Sequence, residues 1–204
     1  MYNLLEPRLR PVPLGDLRPT QMTVGLIEVE RKRREWLDHA ATDGPDFLGS
    51  HMIPVVLGPR QVPWLIDHHH LARALHDEGV AHVLVSVVAR LDHLHKADFL
   101  TFMDNRNWLH PYDEKGQRRD VRELPRSIGR MADDPYRSLA GAVRRAGGYA
   151  KTEMPYAEFL WADFLRGKVA AKTVAGKFEK AVHKALAVAH GAEATHLPGY
   201  CGTF

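Results

Sequence analysis

The stretch Val62-Pro63-Trp64-Leu65-Ile66-Asp67-His68-His69-His70-Leu71-Ala72-Arg73-Ala74-Leu75 changes character in the middle. Before Asp67 it is a compact apolar run of strand-prone residues, and after His70 the apolar side chains Leu71, Ala74 and Leu75 recur at helical spacing. A strand therefore ends and a helix begins at Asp67–His70. Asp67 suits the start of that helix, since its side-chain oxygen can accept from first-turn amides, and Gly79 suits its end.

Working outward, Met52–Leu57 is a second apolar run closed by Gly58-Pro59, so the two runs predict a hairpin, with Pro54 and Pro63 at edge or terminal positions. Downstream, Val83–Val88 is β-branched and nearly all apolar, as a buried central strand is. Upstream, Val12–Leu17 reads as a short strand or extended entry, Arg18-Pro19-Thr20 as a turn, and Thr23–Ala40 as a helix. In that helix Val24, Ile27, Trp36 and Leu37 contrast with a solvated run, Arg31–Arg34. Thr42–Pro45 is a loop, and the first hundred or so residues read β-α-β-β-α-β. Beyond Asp92 helices are predicted at Lys96–Asn105, Ser127–Met131, Pro135–Ala146, Pro155–Leu165 and Val174–His190, with a polar turn at His110–Gly116. The fold class is α/β (α+β): a small mixed sheet in the N-terminal half packed with a helical C-terminal half. We expect one domain over residues 1–204, with an α/β core at 8–92 and a helical extension at 93–204.

Composition narrows the classes. With 204 residues, 45% hydrophobic and 26% charged, the chain can bury a sizeable core and has no signature of disorder. One cysteine, Cys201, excludes an internal disulfide and a Cys-rich zinc site and fits a reducing compartment. No run approaches a membrane span and no secretory leader is evident, so a cytoplasmic location and no membrane partner are expected. The net charge of +3 permits nucleic acid as a partner without demanding it. Thirteen histidines are more telling, because imidazole titrates near neutrality and binds metals.

Three of them, His68, His69 and His70, stand at the helix start, where unpaired N–H groups and the helix dipole favour anions. They are candidate phosphate contacts. The plainer alternative is that one caps, one packs and one is solvated. Successive helical residues point about 100° apart, so the three cannot easily share one metal. A magnesium or manganese ion held by Asp67 and by substrate phosphates is the better fit. Gln21 and Thr20, ahead of the first helix, can orient a substrate by neutral hydrogen bonds, unless Thr20 or Thr23 is simply a cap. A second polar cluster, with Asp104, Asn105, Arg106, Trp108 and His110, suits a substrate-covering loop or a capped helix end. Arg118, Arg119 and Arg122, followed by Arg126, Arg130 and Arg137, form either a phosphate-steering surface or a solvated one. Tyr156, Phe159, Leu160 and Phe164 have the spacing of a helix core face.

The residues Pro54-Val55-Val56-Leu57, Trp64 to Ala74, Gly79 and Val83–Val88 resemble the ParB/sulfiredoxin superfamily, and within it the ParB-like nuclease group. The similarity runs over about Val12–Ala89. It implies a sulfiredoxin-like sheet with a phosphate-binding motif at Asp67–His70. Superfamily members often carry Gly after the motif's Asp and Arg after its basic pair; here His68 and Leu71 stand there, leaving Arg73 and Lys32 to supply guanidinium or ammonium contacts. The sulfiredoxin cysteine has no counterpart, so sulfinic acid reduction is not implied. Free-serine kinases of this fold use a glutamate of the N-terminal helix as base, which implies Glu28 or Glu30.

The sequence thus suggests a phosphoester-directed enzyme of ParB-like nuclease type. It would bind a nucleotide or nucleic-acid phosphate at Asp67–His70 and use metal-assisted hydrolysis or phosphoryl transfer, with nuclease, NTPase and small-molecule kinase all open. The catalytic candidates are Glu28, Glu30, Asp67 and His69, with Asp67 also the metal ligand. Gln21, Lys32, His68, His70, Arg73, Asn105, Arg106 and His110 are the binding candidates. The rival reading is a non-catalytic nucleotide-binding module for DNA segregation or regulation, whose helix-turn-helix signature is not evident in the C-terminal half.

Overall fold

The structure, a computed structural model, describes residues 6–7, 11–42 and 52–202. The chain divides into two compact units, Met1–Val24 with Val29–Ala132, and Gly25–Glu28 with Asp133–Phe204.

The first unit is built on a five-stranded mixed sheet of order β1-β8-β5-β6-β3: β1 (Glu6–Pro7), β8 (Val85–Arg90), β5 (Ile53–Leu57), β6 (Pro63–Leu65) and β3 (Arg18–Pro19). The predicted hairpin is present, with Val55 opposite Leu65 and Leu57 opposite Pro63. Strands β5 and β8 run parallel, and the β5 register shifts between Val55 and Val56. Side chains alternate across a strand, so these two valines feed different cores. Val55 joins Leu17, Val24, Ile53, Leu65, Leu71, Leu75 and Val85. Val56 joins Phe99, Leu100, Met103, Leu109 and Leu124.

Several expectations about this unit are corrected. Arg18-Pro19, expected in a turn, forms β3, parallel to β6; an edge strand tolerates proline because one row of its N–H groups is unused. Pro54, expected at an edge or terminal position, is the second residue of β5, an interior strand and not an edge, where its carbonyl still accepts from Ile66 N–H at 3.1 Å. The Val83–Val88 run is split: β7 (His82–Val83) pairs antiparallel with β2 (Val12–Pro13), while β8 takes the rest. The break falls at Leu84, whose carbonyl accepts from Ile53 N–H. Leu14–Asp16 is a 3-10 turn, not extended chain. Helix α1 spans Leu26–Thr42, and Thr23–Val24 is the short strand β4. The loop expected at Thr42–Pro45 lies, past Thr42, outside the described residues.

Helix α2 is His69–Asp77. It ends as predicted: Gly79 adopts φ +72°, its N–H bonds to His76 O, and Val80 N–H reaches Leu75 O. This double closure needs a left-handed residue, which glycine supplies at little steric cost. Helix α3, Lys96–Asn105, matches the expected span, and Ser127–Met131 contains only a 3-10 turn at Ile128–Arg130.

The second unit is helical: α4 (Pro135–Arg145), α5 (Ala157–Arg166), α6 (Ala171–Gly176) and α7 (Phe178–Ala189). The helix expected over Val174–His190 is thus two, broken at Lys177, whose φ of −147° is not helical. Its core includes Leu139, Val143, Tyr149, Trp161, Leu165 and Ala185, with the Tyr149 and Trp161 rings stacked at 4.2 Å. On α5 Phe159 is buried while Leu160 points outward, 44% exposed, so the aromatic face is narrower than its spacing suggested. Burial lowers the pKa of Arg137, which lies on the Phe159 ring at 3.5 Å. Asp134 caps α4 through Tyr136 N–H and is clasped by Arg166.

Candidate functional site

The junction between β6 and α2 departs from an ordinary helix start. Asp67 does not cap the helix in the expected way; its Oδ1 accepts from the N–H of the very next residue, His68, at 2.6 Å. The cap position falls to His68, which has φ +65° and ψ 29° and makes no side-chain hydrogen bond to the first turn. A left-handed backbone costs an L-residue about 1–2 kcal/mol, and glycine escapes that cost. His68 therefore occupies, with strain, the conformation that a glycine at this place in the motif would adopt freely. Asp67 and His68 are exposed, His70 is half-buried, and His69 turns inward, 3% exposed.

Inside, His69 is held by Thr20. The Thr20 N–H donates to His69 Nε2 at 3.2 Å, so Nε2 is an acceptor and the neutral ring carries its proton on Nδ1. Thr20 Oγ1 lies 3.3 Å from the same nitrogen and donates to Leu65 O at 2.7 Å. Thr20 O in turn accepts from His110 N–H at 2.8 Å. Gln21, 8% exposed, forms an isolated parallel bridge with His110, whose ring stacks on Tyr112 at 4.2 Å. Thr20 is thus tied to β6, to α2 and to the polar loop at once. Neither Thr20 nor Thr23, both 1% exposed, is a helix cap.

The structure brings Gln21, Asp67, His68, His69, His70 and His110 to this junction or its immediate supports. Other candidates have different commitments. Arg73 spans Asp77 and the Met131 carbonyl. Lys32 pairs with Glu35 at 3.0 Å. Asn105 ends α3, and Arg106 lies over the Trp108 ring at 5.2 Å. Glu30 is clasped by Arg34 and Arg33, whose hydrogen bonds lower its pKa and make it a poorer base. Glu28 belongs to the second unit, where both its oxygens accept from Arg145, one at 2.6 Å, and where Gly141 leaves room for the carboxylate.

The first turn of α1 is closed to anions by its own chain: Leu26 N–H donates to Asp133 Oδ1 at 2.8 Å and Ile27 N–H to Ser138 Oγ at 3.2 Å. The α2 start presents imidazoles instead. Among the described residues no group of three or more His, Cys, Asp or Glu side chains converges to hold a metal ion. No described helix is long and apolar enough to cross a membrane.

The sequence offered Thr20 as a substrate-orienting residue or a cap, and did not reveal that it holds the His69 ring. Thr20 lies 49 residues from His69, too far for a local pattern to reveal the bond.

A crystal structure of protein Atu1540 from Agrobacterium tumefaciens is similar throughout, with 49% identity over 98% of this chain and 99% of that one, at a TM-score of 0.90. No curated protein matches the chain. The family described as "Putative ParB-like nuclease" matches residues 10–167, from before β2 through α5. On that match, which takes in the whole Asp67–His70 junction and its supports, the chain belongs to the ParB-like nuclease family.

Proposed function

We propose that the protein is a phosphoester-directed enzyme whose phosphate site is the β6–α2 junction. One observation carries this reading: an exposed Asp67-His68 pair and a half-buried His70 stand at a helix start whose cap residue makes no side-chain bond to the first turn. His68 and His70 would donate to phosphate oxygens while first-turn amides and the helix dipole offset their charge. His69 is then a positioning residue, since Thr20 occupies its Nε2.

Asp67 retains a carboxylate oxygen beyond the one that His68 N–H engages, which fits a single-carboxylate site for a magnesium or manganese ion completed by substrate phosphates and water. Such an ion would supply charge neutralisation. Because arginines hold both Glu28 and Glu30, the proton-accepting role falls more readily to His70 or Asp67. The same observation favours, as a second reading, a module that binds nucleotide without turning it over.

The test is a thermal-shift series with phosphate, pyrophosphate and the common nucleotides, with and without Mg²⁺ or Mn²⁺, followed by turnover assays on each hit. Ligand binding to the native state should raise Tm, and His70→Ala should abolish the rise. A shift without turnover selects the binding-only reading. No shift at millimolar ligand overturns the phosphate site.

A further inference from the structure

Helix α3 carries Phe102 outward, 40% exposed, and its ring lies 6.1 Å from that of Trp108 at 59°. Trp108 is no loose tip. Its backbone N–H donates to Met103 O at 2.9 Å, the left-handed Asn107 (φ +53°) precedes it, and its partly buried side chain packs on the core that holds Leu100 and Met103. Arg106 lies on its ring at 5.2 Å. The two aromatics and one guanidinium form a fixed surface with a π-face in reach of solvent.

The first part of a basic segment, Arg118 to Leu124, lies against the same helix, while its end, Ile128–Arg130, packs against α2. Lys115–Arg130 holds six cations, Lys115, Arg118, Arg119, Arg122, Arg126 and Arg130, against two acids, Asp120 and Glu123. Arg118 bonds across to Asp104 on α3, and Thr101, Asp104 and Asn105 share a depression of about 310 Å³ with Asp120 and Arg122. Asp104, Asp120 and Glu123 take up Arg118, Arg122 and Arg119, so the segment's excess positive charge rests on Lys115, Arg126 and Arg130. Two residues beyond Trp108, His110 N–H bonds to Thr20 in the junction described above.

We propose that Phe102, Trp108 and Arg106 form a stacking platform for a single-stranded nucleic acid whose phosphates run along the Lys115–Arg130 segment. The charge pattern selects a polyanion, and the accessible aromatic faces select one with unstacked bases, because a duplex keeps its base faces covered. The inference rests on the phosphoester reading for its direction, since a strand held here would lie next in sequence to His110.

The experiment measures affinity for dT20, rU20 and a 20-base-pair duplex at low salt for the wild type and for Phe102→Ala, Arg126→Glu and His70→Ala. Single strands should bind at least about tenfold more tightly than duplex, with Phe102→Ala weakening them roughly tenfold. Arg126→Glu should weaken binding and flatten its salt dependence. The relative affinities of dT20 and rU20 separate DNA from RNA as the source. Loss of binding in Phe102→Ala but retention in His70→Ala supports the platform even where pyrophosphate gives no thermal shift. Equal binding of duplex, wild-type affinity in both Phe102→Ala and Arg126→Glu, or no binding of any strand overturns it.

Discussion

The backbone N–H of Thr20 donates to Nε2 of His69 over 3.2 Å, joining residues 49 apart in sequence at a fully buried point. An imidazole replaced there by an apolar ring leaves that N–H without its acceptor. His69→Phe should therefore cost about 1–3 kcal/mol in urea denaturation. Thr20→Val, which strips the donor from Leu65 O, should cost a similar amount. His70→Ala should leave the midpoint nearly unchanged. Equal stability of His69→Phe and the wild type would show that the bond does not support the junction.

His68 gives a cleaner test of backbone strain. At φ +65° alanine suffers the same steric cost as histidine, whereas glycine does not. His68→Gly should be more stable than His68→Ala by about 1 kcal/mol, and both should lose the phosphate-induced thermal shift. A left-handed cap that contributes nothing to ligand binding would show up as an unaltered shift in both variants.

Gly141 is required by its neighbour. A Cβ there would sit 2.8 Å from Glu28 Cδ and displace the carboxylate from Arg145. Gly141→Ala should destabilise the protein by about 1–3 kcal/mol. Glu28→Gln should disturb the same contact, so the double variant should lose less than the sum of the two. Additive losses would mean that the two positions do not share a site.

Asp113 supplies a pH signature. Its Oδ1 accepts from Gln117 N–H and Lys115 N–H, both at 2.9 Å, and the Gln117 bond is the larger cause of its lowered pKa. A carboxylate with a depressed folded-state pKa stabilises the fold above its unfolded value, near pH 4, and loses that contribution as pH falls through the folded one. The stability gap between wild type and Asp113→Asn should therefore be full at pH 6 and shrink below pH 4. A gap that stays constant with pH would remove the titration from the explanation.

Local patterns carried much of the architecture. The β5–β6 hairpin, the α2 start, the Gly79 stop and the whole of α3 follow from apolar spacing and turn residues that act within a few positions. What failed to show was set by distant partners. Arg18-Pro19 looks like a turn until β6 lies beside it, and Thr23 looks like a cap until β4 buries it. At the site, three adjacent histidines look alike in sequence. Only the tertiary placement of Thr20 makes His69 an internal acceptor while His68 stays at the surface. The glutamates of α1 were placed by position alone, and position could not reveal the arginines that hold them.

The start of α1 waits for chain made much later. Leu26, Ile27 and Glu28 find their partners in Asp133, Ser138 and Arg145, 107, 111 and 117 residues downstream. At a synthesis rate of roughly 5–20 residues per second, those partners reach the ribosome's exit on the order of 5–20 s after the helix start does. During that interval Leu26, Ile27 and Glu28 emerge without these downstream partners. The second unit is thus completed by bringing an early segment, Gly25–Glu28, onto chain made much later, and those early residues wait longest for their native partners.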